Sequence, residues 1–295
     1  MVHPWLRRET DDVPEVPVPE EPESEFSSPA DGSRRPTAEG PSARIGGLAV
    51  YYRRQRSGDR VVFVHGSMDR SASFIKVIRR LPAIDAVRYD RRGYGRSLDV
   101  ALAETVDEQV EDLVAMLGGR PSVLVGHSMG GLLALMVAER YPALVRSMVV
   151  FEAPMPWTDW WPTDSAGGAA VRASMTEGAD KAAEMFMRRM IGDARWEKLP
   201  PSTKVARRSE GKALISELRA VRSGIAPYDA TLVRAPLVIG SGTASDAQHQ
   251  RGAETLRALV STAELVRIEG AGHGAHASHA SDFAKLVERG IERAT

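Results

Sequence analysis

The sequence predicts an α/β fold, a mostly parallel sheet flanked by helices and interrupted once by a helical insertion, and three observations carry that expectation. Short runs of consecutive apolar residues, the pattern of strands buried on both faces, alternate with segments whose apolar residues recur every three or four positions, the pattern of covering helices. At one strand-to-helix junction stands Gly126-His127-Ser128-Met129-Gly130, a serine flanked by glycines. Between residue 155 and about residue 230 the alternation stops, and tryptophan and methionine concentrate there.

Composition narrows the function. A chain of 295 residues holds one large domain with an insertion. Its 39 basic and 39 acidic residues balance, which gives no reason to expect nucleic acid as a partner. Cysteine is absent, so there is no disulfide framework, no thiolate metal site and no cysteine nucleophile. The N-terminus lacks the apolar region of a signal peptide, and no later run approaches membrane-spanning length, so a cytoplasmic protein without a membrane partner is expected.

Taken in order, residues 1–42 are rich in Pro, Glu, Ser and Asp, too poor in large apolar groups to offset the entropy of ordering, and read as a disordered tail. Its acidic stretch, residues 11–25, could bind a basic partner but reads first as a solvated extension, while Trp5 and Leu6 could dock locally. Residues 45–52 form an edge strand or hairpin, and residues 61–64 a buried strand ending at His65-Gly66-Ser67-Met68. Phe74, Ile78 and Leu81 have helical spacing, and residues 86–89 make a short strand. Asp90-Arg91-Arg92-Gly93-Tyr94-Gly95-Arg96-Ser97 is a glycine-punctuated turn whose Asp/Arg pair suits a structural role.

Val106, Val110, Leu113, Val114 and Leu117 give a helix an apolar face, ended by Gly118-Gly119. Residues 123–125 are the strand before the serine, and the helix after it closes at Tyr141-Pro142. Residues 147–151 form a further strand with Glu152 at its carboxyl end, where open parallel sheets place their ligands. Residues 236–239 resume the sheet, and Ala253, Leu256, Leu259 and Val260 mark its covering helix. The last strand, residues 263–268, leads to Gly270-Ala271-Gly272-His273-Gly274, and Phe283, Val287 and Ile291 mark a final helix.

The glycine-flanked serine carries the chemistry. A sharp turn strains the backbone at its tip and brings the positions two before and two after it close together, and glycine occupies both. Ser128 is thereby lifted out of the sheet, and the Met129 amide, at a helix start, is free to donate to a developing oxyanion. A serine hydroxyl needs a base, and His273, after the last strand, is the best candidate. His276 and His279 read as surface residues or as residues behind the site, and His249 as less suited still to be the base.

With these motifs in place, the chain resembles the α/β-hydrolase superfamily from Ile45 to about Arg293. The resemblance implies an eight-stranded, mostly parallel sheet, with residues 43–154 and 231–295 as the core and residues 155–230 as a helical cap. It implies that the His65-Gly66 pair shapes an oxyanion hole, with the Ser67 and Met129 amides as donors. His65 itself reads as a structural histidine pinning its loop. For the triad acid there are two candidates. Many relatives place an aspartate after strand seven. Here that position is Ser245, with Asp246 one residue on, in Ser245-Asp246-Ala247-Gln248, which fits a helix capping box. Haloalkane dehalogenases instead place the acid after strand six, as Glu152 would be, and Glu152 is favoured.

The expectation is therefore a serine hydrolase that requires no metal and no cofactor, most simply a carboxylesterase cleaving a small-molecule apolar ester through an acyl-enzyme. Trp157, Phe186 and Met190 either line its apolar pocket or form the cap's own core. The same triad would also serve a carbon–carbon bond, a lactone, a thioester or a peracid, and the fold also serves noncatalytic small-molecule receptors.

Overall fold

The computed structural model describes residues 40–54 and 58–294. The expected tail, with Trp5, Leu6 and the acidic stretch, lies outside the described residues except at its end. Ser42 already belongs to the first hairpin, its N–H donating to the Val50 carbonyl at 2.8 Å and its hydroxyl accepting from the Tyr52 N–H.

That hairpin is β1 (Ala43–Ile45) and β2 (Leu48–Arg53), and β3 (Asp59–Val64), α1 (Ile75–Ile78), β4 (Ile84–Tyr89) and α2 (Val106–Leu117) follow. Next come β5 (Ser122–His127), α3 (Met129–Arg140) and β6 (Val145–Phe151). Five helices then run without a strand: α4 (Ala166–Thr176), α5 (Ala179–Ile191), α6 (Asp193–Glu197), α7 (Pro201–Ser209) and α8 (Gly211–Ala220). The sheet resumes with β7 (Leu237–Gly242), α9 (Ala247–Leu259) and β8 (Ala263–Ile268), and the chain ends in α10 (Ala275–Ser278) and α11 (Ala280–Glu292).

The eight strands are ordered β1-β2-β4-β3-β5-β6-β7-β8. Both pairings of β2 are antiparallel and those from β4 to β8 parallel. The inner strands β3 and β5 are almost wholly buried because apolar layers cover both faces. One layer joins Val110, Leu113, Leu132, Met136 and Leu256 from α2, α3 and α9, and the other joins Phe74, Val77, Phe283 and Val287 from the segments around α1 and α11. A third apolar cluster is the interior of the helical segment itself, built on Ala182, Phe186, Trp196 and Leu214.

Helix ends follow local chemistry. Thr105 and Glu108 close a capping box at the start of α2, and Gly118, in the left-handed conformation, ends it. The capping box expected at Ser245 does not form. Asp246 is itself the N-cap of α9, and its side chain accepts no capping bond from the helix. The reason lies upstream: the Thr243, Ala244 and Ser245 amides donate to Ile268, Ala271 and Gly242, so these residues are committed to the turn against β8. Leu259, expected on the covering face of α9, is 44% exposed, and Val260, just past the helix end, is fully buried instead.

Candidate active site

Register brings the candidate residues to one rim of the sheet. Val64 pairs with Gly126, and His127 with Phe151, so the chain leaves β3, β5 and β6 at neighbouring points and Gly66, Ser128 and Glu152 follow directly. Among the described residues, the non-glycine positions with positive φ are Met68 (54°), Ser128 (52°) and Glu152 (51°), one after each of these strands. Each such residue costs about 1–3 kcal/mol, and strain of this kind clusters where a side chain must be aimed rather than packed.

The glycines around Ser128 are there because nothing else fits. A Cβ on Gly126 would lie 2.5 Å from the Gly130 carbonyl oxygen, and one on Gly130 would lie 2.1 Å from the Val64 carbonyl oxygen. Helix α3 thus starts tight against the ends of β3 and β5. Met129 is its first residue, with an amide among those that have no partner one turn back. A Cβ on Gly66 would come within 3.0 Å of Ser128 Cβ, so the loop that continues into Ser67 passes directly beside the serine.

His65 pins that loop. Its Nδ1–H donates to the Gly66 carbonyl at 2.8 Å, and its Nε2 accepts the Arg91 N–H at 2.9 Å. Both bonds suit the neutral ring, and burial followed by the Arg91 charge lowers its pKa to about 4. Arg91 completes the brace: its guanidinium donates to the His65 and Gly66 carbonyls at 3.0 Å each, to Gln109, and to Glu217 of α8 at 2.7 Å. Asp90 accepts the Ser71 and Arg96 amides. The structural role expected for the 90–97 turn is the one seen.

His273 stands after β8 with its Nδ1 2.7 Å from Glu152 Oε2. The other Glu152 oxygen accepts the Gly242 N–H at 2.9 Å and the Ser241 hydroxyl at 3.2 Å. Burial alone would push this carboxyl up, but the His273 hydrogen bond and charge, with the Gly242 amide, outweigh it and hold it below the ordinary glutamate range. The rival Asp246 is exposed, and its carboxylate accepts only from the Gln248 side chain among the described contacts.

The residue before the serine reaches the base. His127 is buried, and its Nε2–H donates to the His273 carbonyl at 2.8 Å. His249 lies on the other side, stacked on the His273 ring at 4.1 Å with 13° between the planes, and in turn meets the Trp161 edge. Burial, and then the charge on His273, lowers its pKa to about 3. His276 is a correction to any surface placement: it is 4% exposed, packs on Phe74 and His127, and its Nε2 lies 3.1 Å from Asp69 Oδ2. The His279 side chain contacts only the neighbouring Ser278 hydroxyl among the described hydrogen bonds.

The three apolar residues named for the pocket separate. Phe186 is buried in the interior of the helical segment, with Met190 packed against that cluster, so both serve the segment's own core, together with Met68 from the loop after β3. Trp157 packs edge-on against Tyr228. Asp69, His127 and Glu217 were not identified from sequence. Only His127, adjacent to the serine, carried a positional hint; the other two find their partners 207 and 126 residues away.

A model of the alpha/beta hydrolase family matches residues 61–286. The chain belongs to the alpha/beta hydrolase family. Among curated relatives, it is 28% identical over 246 residues to a pimeloyl-(acyl-carrier protein) methyl ester esterase from Neisseria meningitidis, covering 79% of this chain and 77% of that one. It is 31% identical over 112 residues to a 2-(acetamidomethylene)succinate hydrolase from Mesorhizobium japonicum, a match covering 37% of this chain and 40% of that protein's length. The matches to a Mycobacterium tuberculosis lipase, LipV, and a Saccharolobus solfataricus proline iminopeptidase likewise span 36% and 38% of those proteins. Among solved structures, an enol-lactonase from Burkholderia xenovorans superposes with a TM-score of 0.69 at 20% identity, over 85% of this chain and 99% of that one. No helix among the described residues is long and apolar enough to cross a membrane.

Proposed function

We propose that the protein is a serine hydrolase in which Ser128 is the nucleophile, His273 the base and Glu152 the acid, and that it cleaves an apolar carboxylic ester without a cofactor. The observation that carries this reading is the His273 Nδ1–Glu152 Oε2 contact of 2.7 Å, made on the rim where Ser128 sits strained at the tip of its turn. With Nδ1–H donated to the carboxylate, Nε2 carries the lone pair and takes the Ser128 proton as the hydroxyl attacks the carbonyl carbon. Glu152 holds that tautomer and stabilises the imidazolium. The Met129 and Ser67 amides receive the oxyanion, His273 returns the proton to the leaving alcohol, and water then hydrolyses the acyl-enzyme.

Residues 155–230 act in this reading as a cap over the site. The Trp161–His249–His273 contacts and the Arg91–Glu217 pair support that assignment. A lactone is an internal ester that the same steps would open, and an esterase and an enol-lactonase both occur among the similar proteins.

The test is a fluorophosphonate probe together with a panel of apolar esters and lactones. The folded protein should label at one serine and turn over an ester, and Ser128→Ala should abolish labelling and lower kcat by a factor of about 10³ or more. A folded, unlabelled wild-type chain would favour a noncatalytic receptor.

A further inference from the structure

Beneath the proposed catalytic residues lies a second cluster, which the reaction does not use. Asp69 lies in the loop after β3, His127 precedes Ser128, and His276 lies in α10. One ligand atom from each lies within 4.8 Å of the other two. His127 is 6% exposed and His276 4%. The Nε2–H of His127 is committed to the His273 carbonyl, which leaves its Nδ1 as a bare lone pair, and that atom is buried with no partner among the described residues. A histidine whose second nitrogen donates to a backbone carbonyl is oriented as metal-bound histidines are, with tautomer and ring plane fixed in advance.

We propose that Asp69, His127 and His276 form a binding site for one divalent first-row cation, with zinc the best match. Two imidazole nitrogens and one carboxylate oxygen, with a water as the fourth ligand, are a donor set suited to that ion. The spacing is close to what is needed. Ligand atoms around a tetrahedral zinc stand about 3.4 Å apart. His276 Nε2 and Asp69 Oδ2 are already at 3.1 Å, the ion taking the place of the proton between them, and the His127 ligand atom lies within 4.8 Å of both. Asp69 also accepts the Ser73 hydroxyl at 2.9 Å, which holds the carboxylate in place, and its side chain, 20% exposed, is the entry from solvent.

The bound ion would tie together the three segments that carry Ser67, Ser128 and His273. Its role is structural: no step of the proposed hydrolysis passes through it. A further cluster, Glu152, His249 and His273, lies nearby, but it contains the acid and the base of the proposed reaction, so an ion there would block that reaction.

The experiment uses the full chain stripped with a chelator and then titrated with Co²⁺ and Zn²⁺. One equivalent should bind, with visible Co²⁺ bands and a Tm rise of about 5 °C at a hundredfold excess of Zn²⁺ over Kd. Asp69→Asn and His276→Gln should each raise Kd by a factor of about 100 or more, whereas His249→Gln should not. Zinc anomalous scattering from crystals of the unmutated chain requires no variant, and its peak should lie between the three ligands. No binding below millimolar concentration, or an anomalous peak beside Glu152 and His249, overturns the proposal. Neither result bears on Ser128, whose labelling by the fluorophosphonate tests the hydrolase reading separately.

Discussion

His273 and His276 lie three residues apart, each against a carboxylate, and they are wired in opposite senses. His273 meets Glu152 through Nδ1, which leaves Nε2, the nitrogen at the far end of the ring, for a proton acceptor's role. His276 meets Asp69 through Nε2 and keeps Nδ1, near its own backbone, in the protein interior with no partner among the described residues. Access differs in the same direction: the side chain of His273 is 12% exposed and that of His276 5%. A histidine–carboxylate pair is thus not by itself a catalytic pair. Which nitrogen the carboxylate ties, and whether the other can reach a reactant, decides between a base and a brace.

The largest effect that would break this contrast is on turnover. Glu152→Gln keeps the side-chain size but removes the charge that fixes the His273 tautomer, and kcat for an ester should fall by a factor of about 10³–10⁴. Asp69→Asn should cost no more than about tenfold, because Asp69 acts on His273 only through His276 and His127. Asp246→Asn, at an exposed N-cap, should change kcat less than twofold. Steady-state kinetics on the three variants checks the order, and a severe loss confined to Asp246→Asn would return the acid to β7.

Next in size is a change that sharpens the comparison with a third carboxylate, one that pairs with an arginine instead of a histidine. Glu217 reaches from α8 to Arg91, both side chains 2% exposed, and Tyr94 donates its hydroxyl to the other oxygen at 2.6 Å. Arg91 in turn holds the His65 and Gly66 carbonyls. Glu217→Gln leaves a buried cation uncompensated and should destabilise the fold by about 3–5 kcal/mol, a Tm drop of about 10 °C readable by calorimetry.

A smaller, pH-dependent effect follows from Glu152. Its folded value lies below the ordinary 4.5, so the ionised carboxylate stabilises the native state above that pH. The contribution disappears as the pH falls through the folded value. The stability difference between wild type and Glu152→Gln, measured by urea unfolding, should therefore be full at neutral pH and shrink below pH 4.5. A difference that stayed constant into acid would mean the carboxylate is not held by His273.

These effects also mark what the sequence could and could not reveal. The turn around Ser128 was legible because its geometry excludes every residue but glycine at positions 126 and 130, a constraint written directly in residue types. Glu152 was legible as a candidate, since its place after β6 follows from strand order, but its positive φ and its 2.7 Å partner are tertiary facts. Asp69–His276 and Arg91–Glu217 were not legible, because polar residues on elements distant in sequence carry no periodicity that announces a partner. Phe186 and Met190 had the spacing of a helix face, and spacing alone does not say whether that face looks at a substrate or at a neighbouring helix.

The finest test concerns the ring on the open side of His273. His249 is neutral at pH 7, with a pKa near 3, so it can lie flat on the base at 4.1 Å without opposing the charge that His273 gains as it takes the Ser128 proton. A stacked pair of this kind is worth about 0.5–1.5 kcal/mol, which sets the scale at two- to tenfold in rate if the stack fixes the ring plane that Ser128 needs. His249→Ala should then lower kcat by that factor with little change in KM, and His249→Phe, which keeps the flat partner and discards the nitrogens, should restore most of it. Restoration by Gln instead would assign the effect to a hydrogen bond, and equal losses in all three would assign it to the packing of Trp161.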